Sequence, residues 1–191
     1  MKHPLFLHIN QYTTINENEF QQILQYFELL KCAKKELIAK SGEVCRHNYF
    51  VLKGCLNMFF TNEKGTDQTI QFAIENWWIT DYLAFQNKTI SPFSIQAIES
   101  CEILSISFEQ QEELLNQFPQ LEKYFRGVYQ TAYGASLIRM KFLYELSKEE
   151  IYFHFTEQFP AFAQRIPQYL IASFLGLTPE YVSEIRRKKR S

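Results

Sequence analysis

Polar and apolar positions fall into three regimes along the chain. Phe20, Ile23, Leu24, Phe27 and Leu30 recur at helical spacing. Thr14 with Glu17 three residues on has the form of a capping box, so a helix is predicted from Thr14 to Leu30. From about Lys31 to Ser107 the period drops to two: Ile70, Phe72 and Ile74 alternate with Gln71 and Ala73, and Leu104, Ile106 and Phe108 with Ser105 and Ser107. Ser41-Gly42, Lys53-Gly54, Asn62-Glu63-Lys64-Gly65 and Ser91-Pro92 punctuate these strands at the spacing of an antiparallel β-roll of jelly-roll, or double-stranded β-helix, type.

Helical period returns at Ser107, with Gln110 placed to complete a capping box, and Phe118-Pro119 separates that helix from a longer one. There Leu121, Phe125, Val128, Ala132 and Ala135 step by four, three, four and three, the seam of a coiled coil, until Arg139 interrupts it. Two readings stand: the seam packs on the chain's own barrel, or it pairs with a second copy. The small residues Ala132, Gly134, Ala135 and Ser136 favour the dimer by allowing close helix approach. Ser147 and Glu150 form a second capping box for a helix with Ile151, Phe155 and Phe159 inward, ended by Pro160. The fold class expected is α+β, in three parts: 1–118 a β-roll, 119–146 a long dimerisation helix, and 147–191 a helical C-terminal domain.

Pro167 suits a helix start, Ala172 a close helix crossing, Gly176 a left-handed turn, and Thr178-Pro179 an N-cap followed by the first helical position. With Leu170, Leu175, Leu177, Val182 and Ile185 as shared core, residues 167–187 have the make-up of a helix-turn-helix. Charge agrees with that placement. The net charge of −1 divides into −5 over residues 1–164 and +4 over 165–191, so a basic cluster, Arg186 to Arg190, closes the last helix and suits a polyanion.

Other chemistry is thin. Cys32, Cys45, Cys55 and Cys101 are spaced 13, 10 and 46 apart without a CxxC pair, as small buried hydrophobes would be, leaving metal, iron–sulfur or redox roles without support. A cupin-like enzyme is set aside because no His-x-His occurs among the four histidines, and no cofactor is expected. His47 and His154 have no axial-ligand context for haem, and His3 and His8 are assigned to a mobile terminus. No apolar run has the length of a membrane span, and the first residues lack a secretory signal, so a cytoplasmic protein is expected without a membrane partner.

The residues Arg165-Ile166-Pro167-Gln168, leading into Ile171-Ala172-Ser173-Phe174-Leu175-Gly176-Leu177-Thr178-Pro179-Glu180, resemble the compact, Bacteroidetes-type members of the Crp/Fnr family of transcription regulators. The Lys53-Gly54 turn and Cys101-Glu102-Ile103 carry the resemblance into the β-roll. It implies a cyclic-nucleotide-binding-like sensor domain, dimerisation through Leu121, Phe125, Val128, Ala132 and Ala135, a winged-helix-like helix-turn-helix domain, double-stranded DNA read as an inverted repeat, and RNA polymerase as a partner.

For DNA the resemblance points to Gln168, Thr178, Glu180, Tyr181, Ser183, Glu184, Arg186, Arg187 and Lys188, with Lys189 and Arg190 as further phosphate contacts. Where the family reads bases through the first position of the recognition helix, a Glu next to it and an Arg four residues further on, this chain has Pro179, Glu180 and Glu184. Its operator should therefore differ. In the effector pocket the family's Gly-Glu and Arg-Ser pairs fall on Thr80-Asp81 and Ser91-Pro92. Without the Arg a cyclic phosphate would be buried beside Asp81 uncompensated, so cyclic AMP is not expected to bind. The remaining pocket positions, Trp78, Tyr82, Phe93 and Gln96 with Trp77 and Phe85, read either as core filler or as a cavity for a flat, weakly polar effector. The alternative function is an interaction protein whose C-terminal helices bind a protein partner.

Overall fold

Asn16, not Thr14, caps the first predicted helix: its side chain accepts from the Glu19 amide while Glu19 reaches back to the Asn16 amide. The computed structural model describes residues 2–190, except the side chains of Lys189 and Arg190. This helix, α2 (Glu17–Leu24), also stops short of Leu30, because Glu28–Cys32 is strand β1, paired antiparallel with residues 101–105. Here a long-range backbone ladder overrides a locally acceptable helical pattern. Ahead of α2, in the segment expected to be a mobile terminus, lies α1 (Pro4–Ile9). It is docked, with Leu5, Phe6 and Ile9 buried.

The middle of the chain supplies β2 (Leu37–Ala39), β3 (His47–Lys53), β4 (Leu56–Thr61), β5 (Asp67–Ala73), β6 (Trp78–Ile79), α3 (Tyr82–Asn87), β7 (Ser94–Ala97) and β8 (Cys101–Ser107). They form two four-stranded sheets, ordered β1-β8-β3-β6 and β2-β7-β4-β5. Gly54 turns β3 into β4 at φ +104°, where an added Cβ would stand 2.5–2.9 Å from Cys101 and Ser100; only glycine fits both requirements.

Helix α4 (Phe108–Gln117) opens on the predicted Ser107–Gln110 box, and α5 (Leu121–Glu145) follows as one continuous helix. After it come α6 (Lys148–Gln158), capped by the Ser147–Glu150 box, α7 (Pro160–Arg165), α8 (Gln168–Phe174) and α9 (Pro179–Arg190). Pro160 therefore begins a helix as well as ending one, since a proline at the first helical position forfeits no hydrogen bond. The molecule is a mixed α+β fold of antiparallel sheets, a long helix and C-terminal helices.

Packing divides the chain into two compact units, Met1–Phe60 with Gln71–Gln130, and Thr61–Ile70 with Thr131–Ser191. In the first, Leu5, Phe6, Ile9, Phe20, Ile23, Phe50, Trp78, Leu104, Ile106, Leu114, Leu121, Tyr124, Phe125 and Val128 share one core. Its polar centre is the Tyr124 hydroxyl, which accepts from Trp78 Nε1 at 2.7 Å and lies 2.7 Å from His8 Nδ1. The second unit joins α6–α9 and the later part of α5 to the tip of the β4–β5 hairpin, where the Asn62 side chain accepts from the amides of Lys64 and Thr66.

Candidate nucleic-acid interface and effector cavity

Helices α8 and α9 are joined by a turn in which Gly176 takes φ +70°, and the Tyr181 amide donates to Thr178 Oγ1 at 3.2 Å. Ala172, Leu175, Leu177, Val182 and Ile185 are buried, as their spacing predicts. Two positions shift. Ile171 takes the buried place expected of Leu170, which is only half-buried, and Pro167 precedes α8, so that Gln168 is its first residue. Burying Val182 and Ile185 leaves the opposite face of α9 to solvent, with Glu180, Ser183, Glu184, Arg187 and Lys188 exposed at steps of three and four.

Tyr181 and Arg186 flank that face half-buried, and Gln168 and Thr178 are exposed at the starts of the two helices. Glu184 does not present a bare negative charge: Lys188 Nζ lies 2.9 Å from its carboxylate. That hydrogen bond holds the Glu184 carboxyl below its usual pKa and raises Lys188. The side chains of Lys189 and Arg190 lie outside the described residues. Among the described residues no strand follows α9, and no helix is long and apolar enough to cross a membrane.

On α5 the predicted seam divides. Leu121, Phe125 and Val128 are buried in the first unit's own core, Ala132 is half-buried and Ala135 exposed. For the first three residues, packing on the chain's own β-roll is the observed outcome. A second, unforeseen seam lies further on: Tyr133, Leu137, Met140 and Tyr144, at steps of four, three and four, are 67, 46, 51 and 87% exposed. Its spacing was legible, but aromatic and aliphatic positions on every side of this helix masked which stripe the core would use.

The β-roll encloses a cavity of about 70 Å³, with Lys40, Glu43, Cys45, Arg46, His47, Tyr49, Asp81, Ser91 and Phe93 among its lining residues. Asp81, Ser91 and Phe93 are thus brought together as expected, and the other pocket candidates are not. Trp78 belongs to the hydrophobic core, and Tyr82 packs edge-on against Tyr129 at 4.9 Å. Buried Thr80 donates to the His47 carbonyl, and Gln96 donates to that of Lys35. Trp77 is exposed and Phe85 buried.

Asp81 caps α3, accepting from the Ala84 amide, and its other oxygen accepts from Ser91 Oγ at 2.9 Å. The carboxylate and the residue ten positions later close on each other. Cys45 lines the same cavity, 3.2 Å from Thr80 Oγ1, and burial raises its thiol pKa, so it is held as the protonated thiol. β3 carries a continuous apolar run and is buried on both faces, so no alternation marks His47 and Tyr49, and which face encloses space depends on how the two sheets meet.

The antiparallel sheets, the long helix and the C-terminal helices match Crp/Fnr-like folds. Residues 29–118 match the family model described as Cyclic nucleotide-binding domain. Solved structures with the fold include FixK2 from Bradyrhizobium japonicum, at 16% identity and TM-score 0.73 over 85% of this chain and 83% of that one. Another is the c-di-GMP responsive global regulator CLP of Xanthomonas campestris, at 12% identity and TM-score 0.72 over 92% of each chain. The catabolite activator protein of Thermus thermophilus aligns over 97% of this chain and 85% of its own, at 18% identity and TM-score 0.60. No curated protein sequence matches significantly.

Proposed function

We propose that the chain is a DNA-binding transcription regulator of the Crp/Fnr type, dimeric, reading an inverted repeat, in the cytoplasm and in partnership with RNA polymerase. Residues 1–118 serve as the sensor domain, 119–146 as the dimerisation helix and 147–191 as the DNA-binding domain. The observation that carries the reading is α9: one face is locked into the α8 core while Glu180, Ser183, Glu184, Arg187 and Lys188 are exposed to solvent on the other. This is the geometry of a recognition helix offered to a major groove. Glu180 at its start is placed for a cytosine amino group, Tyr181 and Ser183 for neighbouring edges, and Arg186, Arg187 and Lys188 for phosphates.

The effector site supports a regulator that ignores cyclic AMP. A cavity of about 70 Å³ admits a few waters, whereas small-molecule pockets begin near 300 Å³, and the Ser91–Asp81 hydrogen bond occupies the groups that would face a nucleotide.

Selection from a random duplex pool tests the reading. An enriched inverted repeat with half-site centres about 10 base pairs apart is expected. Arg187→Ala should weaken all sequences about equally and reduce the salt slope by about one unit per protomer, while Glu180→Ala should cost about 1–3 kcal/mol on the selected site alone. Recovery of no repeat, or equal effects of both substitutions on every sequence, favours the protein-partner alternative.

A further inference from the structure

Arg139, which interrupts the heptad pattern of α5, has a position of its own. Its guanidinium donates through Nη1 to the Ile70 carbonyl at 3.4 Å and through Nη2 to the Phe174 carbonyl, and it lies 4.2 Å over the Phe174 ring. Among the described residues no carboxylate pairs with it, and burial lowers its pKa. Such a cation is costly to bury unless hydrogen bonds compensate it; the carbonyl at the C-terminal end of α8 offsets part of that cost, aided by the helix dipole.

Beside it, Ser173 joins the same elements. Its hydroxyl donates to the Asp67 carbonyl at 3.0 Å and accepts from the Thr69 amide at 2.8 Å, while Gln68 Nε2 donates to the Ser173 carbonyl. The β4–β5 tip, α5 and the last turn of α8 are thus tied together by two adjacent residues of α8 and one arginine. The tie leaves the outer face of α9 exposed.

We infer that Arg139 and Ser173 are positioning residues for DNA binding: they form a clamp that fixes the helix-turn-helix against α5 and so sets the distance between the two half-sites a dimer can read. The inference rests on the DNA-binding reading above. Its physical basis is that the second half-site is engaged at an effective concentration set by how rigidly the two helix-turn-helix units are held. A single half-site needs only α8 and α9, which keep their own core. A paired site needs the angle between α5 and α8, and the clamp supplies it.

The test measures binding of the full-length protein to the selected inverted repeat and to the same duplex with one half-site scrambled. Arg139→Gln removes the charge, one donor and the guanidinium stack; Ser173→Ala removes one hydroxyl from a half-buried site and retains the helix; Arg139→Lys keeps the charge and loses the fork. Expected is about a tenfold loss on the paired site in Arg139→Gln and Ser173→Ala, with single half-site affinity within twofold of the unsubstituted protein and little rescue by Arg139→Lys. Tolerance for repeats spaced one base pair wider or narrower should rise in parallel. A general unfolding effect would lower both probes together, and that outcome, or an unchanged ratio between them, overturns the clamp. Failure of the unsubstituted protein to bind any duplex overturns the DNA reading, and this inference with it.

Discussion

Tyr124→Phe removes one oxygen from the centre of the first unit, and its cost can be worked from the hydrogen bonds it breaks. The indole nitrogen of Trp78 can only donate, so the Tyr124 hydroxyl accepts from it, and the same oxygen is hydrogen-bonded to His8 Nδ1. Tyr124 is 1% and Trp78 4% exposed, so without the oxygen the indole N–H is left buried and unpaired, a loss of about 1–3 kcal/mol. His8 is only half-buried and can regain a water, adding about 1 kcal/mol or less. The expected destabilisation is about 2–3 kcal/mol, or about 4–12 °C in Tm for a chain of this size. Urea unfolding followed by tryptophan fluorescence should show a lower midpoint at unchanged m. In a Trp78→Phe background the same substitution should cost at least 1 kcal/mol less, since the orphaned donor is gone. A loss below 0.5 kcal/mol, or no coupling to Trp78, would refute the assignment of this hydroxyl as the shared partner.

Four further outcomes are expected. Burial lowers the pKa of His3, His8 and His47 below the ordinary 6.5; the unfolded chain then binds more protons, so stability is full above pH 6.5 and falls as pH drops through 6.5 toward the folded-state values. Urea midpoints between about pH 7.5 and 5.5 should trace this fall, with a shallower slope in His8→Gln. Gly54→Ala should destabilise by about 2–5 kcal/mol through positive φ and collision with Cys101, whereas Gly65→Ala, with open space around it, should cost only about 1–2 kcal/mol; equal midpoints for the two variants would deny the close contact. Leu137→Glu, placing like charges in the exposed α5 seam, should convert a dimer of about twice 22.8 kDa into a monomer by light scattering; an unchanged mass would move the interface elsewhere. Calorimetry with cyclic AMP and cyclic GMP should register no binding, and a micromolar Kd for either would show that Asp81 and Ser91 part readily.

What could be read from the chain alone was local. Ser107 with Gln110 and Ser147 with Glu150 specify helix starts within four residues, and both caps are present. Ala172, Gly176 and Thr178-Pro179 specify two helices joined by a turn, within a span so short that turn chemistry and a small shared core decide it. The antiparallel β-roll followed from period and punctuation.

Tertiary structure decided wherever a residue's partner lies far along the chain. The helical pattern through Leu30 yields to β1 because β8, more than seventy residues later, offers a ladder. The terminal segment is held because Tyr12 fits over Gly127 and His8 meets Tyr124. Of the apolar stripes on α5, the core takes Leu121, Phe125 and Val128 and leaves Tyr133, Leu137, Met140 and Tyr144 outside, a choice that periodicity cannot make when several stripes are apolar. Arg139 read as a break in a seam; its carbonyl partners, Ile70 and Phe174, stand sixty-nine residues before it and thirty-five after it. Short-range signals are set by dihedral preference and neighbouring hydrogen bonds, whereas these pairings exist only once folding has met the loop-closure cost of bringing distant segments together.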